Sequence, residues 1–173
     1  TCSDGFVFKD KENCLAIYSE KHDPTWERTA QEIARFSERD AETWRKLHKI
    51  SESDEYMRVL MDTLFLPAED RLTGPVDQRK MAMFPGLLAA DLVPSALSMK
   101  ASGLRATQES FDSPEMQSCI LRFAVSSAID INEPGYGLYT MGMALTLPTL
   151  GFNRGGTHQI AHAAHQILVQ NGC

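Results

Sequence analysis

Leu150-Gly151-Phe152-Asn153-Arg154-Gly155-Gly156-Thr157-His158-Gln159-Ile160-Ala161-His162 is the stretch from which the rest of the chain can be read. Adjacent glycines allow backbone dihedrals that a side chain forbids and let another group come close. Thr157 is placed to cap a helix whose apolar residues, Ile160, Ala164, Ile167 and Leu168, recur at helical spacing. Asn171-Gly172 reads as its stop. A glycine turn that opens a helix presents unpaired N–H groups and a positive dipole end, here with Arg154 beside them. Such a turn suits an anionic or electron-rich partner.

Bulk properties narrow the class. A chain of 173 residues is long enough for one domain with a sizeable core, and 43% hydrophobic with 23% charged residues is ordinary for a globular chain. The net charge of -6 argues against nucleic acid as a partner, because phosphate binding needs a basic surface. No apolar run approaches the roughly 20 residues that span a bilayer. Thr1 rather than Met opens the chain, Asp4-Gly5-Phe6-Val7-Phe8 soon reads as a strand, and Cys173 directly follows a helix stop. No signal peptide is visible, and the chain is expected to be an interior piece of a longer one. The four cysteines, Cys2, Cys14, Cys119 and Cys173, form no C-x-x-C spacing. Reduced thiols in a cytoplasmic protein are the expectation, although Cys2 and Cys14 are candidates to face each other across a hairpin.

Charge is unevenly spread: residues 1–80 hold 30 of the 40 charged side chains. The charge-poor second half therefore either forms the core or faces another domain, an apolar ligand or a membrane surface.

Phe6 to Phe8 and Cys14 to Tyr18 predict a hairpin within residues 1–20, expected to pair with strands from elsewhere because an isolated hairpin is marginal. Asp23-Pro24 reads as a cap with proline at the first helical position, followed by an apolar face of Trp26, Ala30 and Ile33. Ser37 and Asp40 resemble a capping box ahead of Ala41, Trp44 and Leu47. A third helix is expected from about Ser53, with Met57, Leu60, Met61 and Leu64 on its face, stopping near Pro67. Pro85 and Pro94 cut the apolar, Met-rich stretch from Met81 to Met99 into short helical pieces. Ser102 to Phe111 reads as a short helix, and Ser113-Pro114-Glu115 opens a longer one with Met116, Ile120, Phe123 and Ala124 inward. Leu138 to Leu147 fits helix and strand equally. The class is mainly α (α+β), a single helical domain with a small β-hairpin and no Rossmann fold.

Few sites survive inspection. Gly151-x4-Gly156-Thr157 approaches phosphate-loop spacing but lacks the lysine, and no G-x-G-x-x-G follows a strand. His158, His162 and His165 share one helical face, but the first and last are about 10.5 Å apart along the axis, too far for one small cation to hold all three. An i, i+4 pair would need ligands from elsewhere, and no cysteine or carboxylate of that helix supplies them, so no metal centre is expected. His22 and His48 fall in charged, solvated helices. Met81, Met83, Met99, Met141 and Met143 suit adaptable core better than a ligand box.

Two stretches together carry a resemblance. Glu27-Arg28-Thr29-Ala30-Gln31-Glu32-Ile33-Ala34-Arg35-Phe36-Ser37-Glu38-Arg39-Asp40-Ala41-Glu42 resembles the early helical segment of phytoene-dehydrogenase-like FAD-dependent oxidoreductases. Arg154-Gly155-Gly156-Thr157-His158-Gln159-Ile160-Ala161-His162-Ala163 resembles the same family's R/P-G-G-x-x-x-L-x-x-A-L motif, which often carries proline where Arg154 stands. Their order and separation also fit. In that family a GxGxxG segment precedes a substrate-domain insertion, and later strands return to hold the flavin.

The resemblance implies that this chain is the insertion: a helical substrate-binding (cap) region, with residues 150–172 returning to an absent FAD domain. It implies FAD in the intact parent but none bound to this chain, and an apolar small-molecule substrate. Arg154, Gly155, Gly156, Thr157 and His158 would lie at the cofactor or domain interface, and Met81, Met83, Phe84, Met141 and Met143 would line the substrate cavity. Its partner would be the FAD-binding domain of the same chain, with peripheral membrane contact and a homodimer through an exposed apolar face as further expectations. The competing reading is a free-standing helical module for an apolar ligand or membrane surface.

Overall fold

The computed structural model describes residues 2–9, 13–52, 100–149, 156 and 158–172. The helix expected from Ser53 and the Met81 to Met99 stretch lie outside these.

The chain opens with an antiparallel pair, β1 (Cys2–Val7) and β2 (Cys14–Tyr18). Side chains alternate across the pair. Phe6, opposite Leu15, turns inward with Leu15 and Ile17, while Val7, opposite Cys14, stays exposed on the other face. The two cysteines do not face each other: Cys2 pairs with Tyr18 and Cys14 with Val7, at opposite ends of the ladder. At about 3.3 Å per residue that separation far exceeds the ~7 Å limit for a disulfide.

Among the described residues the sheet has two strands, and helices rather than further strands cover it. Its exit is tied down by the N–H of Glu20, which donates to the Pro148 carbonyl at 2.9 Å. The Tyr18 N–H donates to Thr29 Oγ1 at 3.1 Å.

Helix α1 (Glu27–Ala34) begins three residues after Pro24, so proline is not at its first position. Asp23 caps it all the same. Its carboxylate accepts from the N–H groups of Arg28 (3.1 Å) and Thr29 (2.8 Å) and from the Thr29 hydroxyl (3.0 Å). Reaching across the turn forces Trp26 into the left-handed region, with φ 54°. That conformation costs on the order of 1–2 kcal/mol for a side chain with a Cβ. Burial compensates: the Trp26 indole is 1% exposed and packs on Trp44 with ring centroids 5.1 Å apart.

Helix α2 (Glu38–Ser51) packs on α1 and buries Ala41, Trp44, Leu47 and Ile50 in the core. Ser37 caps it by accepting the Asp40 N–H at 3.2 Å.

Three short helices complete the core: α3 (Gly103–Ser110), α4 (Pro114–Ser126) and α5 (Gly137–Ala144), followed by a 3-10 turn (Leu147–Thr149). Ser102 and Ser113 cap α3 and α4 by accepting the N–H groups of Arg105 and Met116, each at 3.3 Å. Pro114 opens α4, where its missing N–H costs nothing. The segment that fits helix and strand equally forms α5 and the 3-10 turn. Residues 140–148 are buried without a break, which removes the amphipathic period that would have identified it.

One cluster joins the sheet, α1, α2 and the later helices, from Phe6 through Trp44, Phe111 and Ile120 to Leu147. A smaller one, of Ala124, Ile129 and Met143, adjoins it through Phe123. Residues 100–149 of the charge-poor half thus contribute much of the core, with residues 125–128 and 132–136 exposed. The fold is mainly α with a small hairpin, as the sequence predicts.

The last helix, α6 (His158–Gln170), differs from the rest: none of its side chains is buried. Ile160, Ile167, Leu168 and Val169 are all more than half exposed.

Candidate functional site

The glycine turn and α6 are the candidate site, and the described part of them is Gly156 and the helix. Gly156 has φ +91°, a conformation open to glycine and strained for other residues. Its carbonyl accepts the Gln159 N–H at 3.2 Å, closing the first turn. The His158 ring lies against it: a Cβ at position 156 would stand 3.4 Å from His158 Nδ1. His158 is exposed, and its Nε2 lies 3.0 Å from the Gln159 side-chain amide. Arg154, Gly155 and Thr157 lie outside the described residues.

Of the proposed substrate-lining residues, Met81, Met83 and Phe84 also lie outside. Met141 and Met143 are buried, at 6% and 8% exposure, Met141 in the main core and Met143 against Ala124 and Ile129. Both occupy packed interior.

His162 and His165 are exposed like His158, and among the described residues no group of three or more His, Cys, Asp and Glu side chains could hold a metal. His22 and His48 match the sequence reading only in part: His22 is solvated but not helical, and His48 is helical but not fully solvated. His22 sits in a surface turn, its Nδ1 2.9 Å from Ser19 Oγ, with the N–H groups of His22 and Asp23 both donating to the Ser19 carbonyl. His48 is on α2 but half-buried, its ring 5.2 Å from that of Trp26 and its Nε2 3.0 Å from the Pro24 carbonyl.

Electrostatic pairing concentrates on the first two helices. The Arg45 guanidinium meets Glu27 in a fork, Nε at 2.8 Å and Nη2 at 2.9 Å, which holds the Glu27 carboxyl below its ordinary value and raises Arg45.

Two features escaped the sequence. Asp40 does not complete its capping box; its buried carboxylate crosses to the loop ahead of α4 and accepts from the N–H of Asp112 (2.7 Å) and of Ser113 (2.9 Å). The indole N–H groups of Trp26 and Trp44 are buried without a hydrogen-bond partner among the described residues. The side-by-side tryptophans had a legible signal, since both fall on apolar helix faces; the loop contact had none, because 72 residues separate its ends.

No family model matches the chain, and no curated protein or solved structure matches it either. No helix among the described residues is long and apolar enough to cross a membrane.

Proposed function

We propose that this chain is the helical substrate-binding region of an FAD-dependent oxidoreductase resembling the phytoene-dehydrogenase-like enzymes. The observation that carries the reading is α6. Ile160, Ala164, Ile167 and Leu168 form a continuous apolar stripe, and the helix buries none of them. An amphipathic helix with its apolar side in water lacks the packing that stabilises helices of this length, and a covering domain supplies it. The covering surface is the flavin domain of the same protein, which the Arg154-Gly155-Gly156 turn rejoins.

The described residues do not form a cradle for FAD: Gly156 is filled on its near side by His158, and no dinucleotide fingerprint is present. No step through the flavin is derived for this chain. Its own contribution is shape, apolar walls and exclusion of water around a substrate that gives up hydride equivalents. Met81, Met83 and Phe84 are assigned to that wall; Met141 and Met143 are buried. A cytoplasmic location belongs to the same reading, with membrane contact made by the intact protein rather than by this region alone, as does a homodimer through an apolar face left open.

The closed core around α3 to α5 favours a second reading, a self-sufficient helical module for an apolar ligand or membrane surface. One pair of measurements separates them. The purified chain is equilibrated with FAD and, separately, with a long-chain polyene and with lipid vesicles. The substrate-region reading expects none to bind stoichiometrically, because half the site lies on the flavin domain. Saturable polyene or vesicle binding selects the module, and one FAD per chain overturns the first reading.

A further inference from the structure

The apolar stripe that carries this reading does not include the histidines of α6, of which His158, beside the glycine turn, is the one expected at the interface. At 100° per residue, His158, His162 and His165 lie roughly 140° around the helix from the centre of the Ile160–Leu168 stripe. All three are exposed, and a domain seated on the stripe need not cover them. None of the helix's thirteen residues is Asp, Glu, Lys or Arg, so within the helix no positive side chain repels a cation, and no carboxylate adds a ligand to the imidazoles.

We propose that His158 and His162 form a two-imidazole chelate for a first-row divalent cation of the Ni(II), Cu(II) or Zn(II) type. Side chains four apart stand one above the other on a helix, with Cβ atoms about 5–6 Å apart. Metal–nitrogen bonds of about 2 Å on each side close that gap with ordinary rotamers. Neutral imidazole suits these metals, and water fills the positions the protein leaves open. The reading that one cation cannot hold all three rings stands: His165 is seven residues from His158.

Two things oppose binding and both are weak. The positive end of the helix disfavours a cation near His158, and Nε2 of His158 must give up its contact with the Gln159 amide. That contact is exposed, so water already competes for it. The second imidazole, held at high effective concentration by the helix, outweighs both.

The test is isothermal titration of the whole chain with NiCl2, after blocking accessible thiols with iodoacetamide because Cys14 is exposed and free. One ion per chain is expected, with affinity falling about tenfold or more in His162→Gln and in His158→Gln, and unchanged in His165→Gln. Circular dichroism checks that each variant keeps the parent helix content; all three positions are exposed, so it should. Absence of binding overturns the site, as does binding that survives His162→Gln or His158→Gln. A loss in His165→Gln as large as in His162→Gln assigns the ion to a different pair and equally overturns it. None of these outcomes bears on the substrate-region reading, which rests on the opposite side of the helix.

Discussion

One carboxylate oxygen of Asp40 accepts both the backbone N–H of Ser113 at 2.9 Å and its hydroxyl at 2.5 Å. The other accepts the Asp112 N–H, and Arg39 beside it pairs with the Asp112 side chain. Asp40 is fully buried, so the first turn of α2 is bolted to the cap of α4. The Ser113 hydroxyl also accepts from Met116, so it serves the helix and the bolt together. Asp40→Ala leaves two backbone donors unsatisfied and should cost about 3 kcal/mol, with Asp40→Asn costing less because one acceptor survives. Urea unfolding of the two variants measures this; a loss below about 1 kcal/mol in Asp40→Ala means that water replaces the carboxylate.

Gly103 lets α3 approach α5. A Cβ there would collide with the Thr140 hydroxyl, and its clearance from Thr140 Cβ would be 3.3 Å. Gly103→Ala is expected to destabilise by about 1–3 kcal/mol through overpacking, despite the better helix propensity of alanine. The Thr140 hydroxyl itself is buried and unpartnered among the described residues, so Thr140→Val should stabilise by about 1 kcal/mol. Thermal unfolding of both variants reads the pair.

The exposure of α6 makes a contrast within one experiment. Leu47, at 3% exposure, should lose about 2–5 kcal/mol on change to alanine. Ile167, at 59%, should change by no more than about 0.5 kcal/mol in the isolated chain. A large effect at Ile167 would mean that its face is packed in solution.

Glu27 gives stability a pH dependence. Its hydrogen bonds from Arg45 lower its folded value below the ordinary 4.5. The unfolded chain then binds the proton more readily, so the contribution is complete above about pH 5 and fades as pH falls through the lower folded value. With side-chain exposures of 45% and 39%, the pair is well solvated and its worth stays below about 1 kcal/mol. Glu27→Gln should flatten the slope of stability between about pH 5 and pH 3. An unchanged slope would show that Arg45 does not hold the carboxylate in solution.

Local physics was enough for much of the fold. Ser37, Ser102 and Ser113 each cap the helix their position predicts, because a cap needs only its own next three residues. Trp26, Ala30, Ile33, Ala41, Trp44 and Leu47 are buried as their spacing implies. The start of α1 was less legible, since Asp23 caps from outside the first turn by bending the chain at Trp26. Of the candidate site, the sequence marks the glycine turn and the histidine face, whose spacing is set by the helix alone.

Residues three or four apart thus reveal where most of the helices begin, which faces are apolar and which residues share a helical side. It took the folded chain to show that α5 is a helix, that Asp40 reaches Ser113, that Met141 and Met143 face packed interior, and that this chain leaves the stripe on α6 uncovered. Each of these turns on which distant segment, if any, comes to lie against a given surface, and contacts across the chain leave no periodic trace along it.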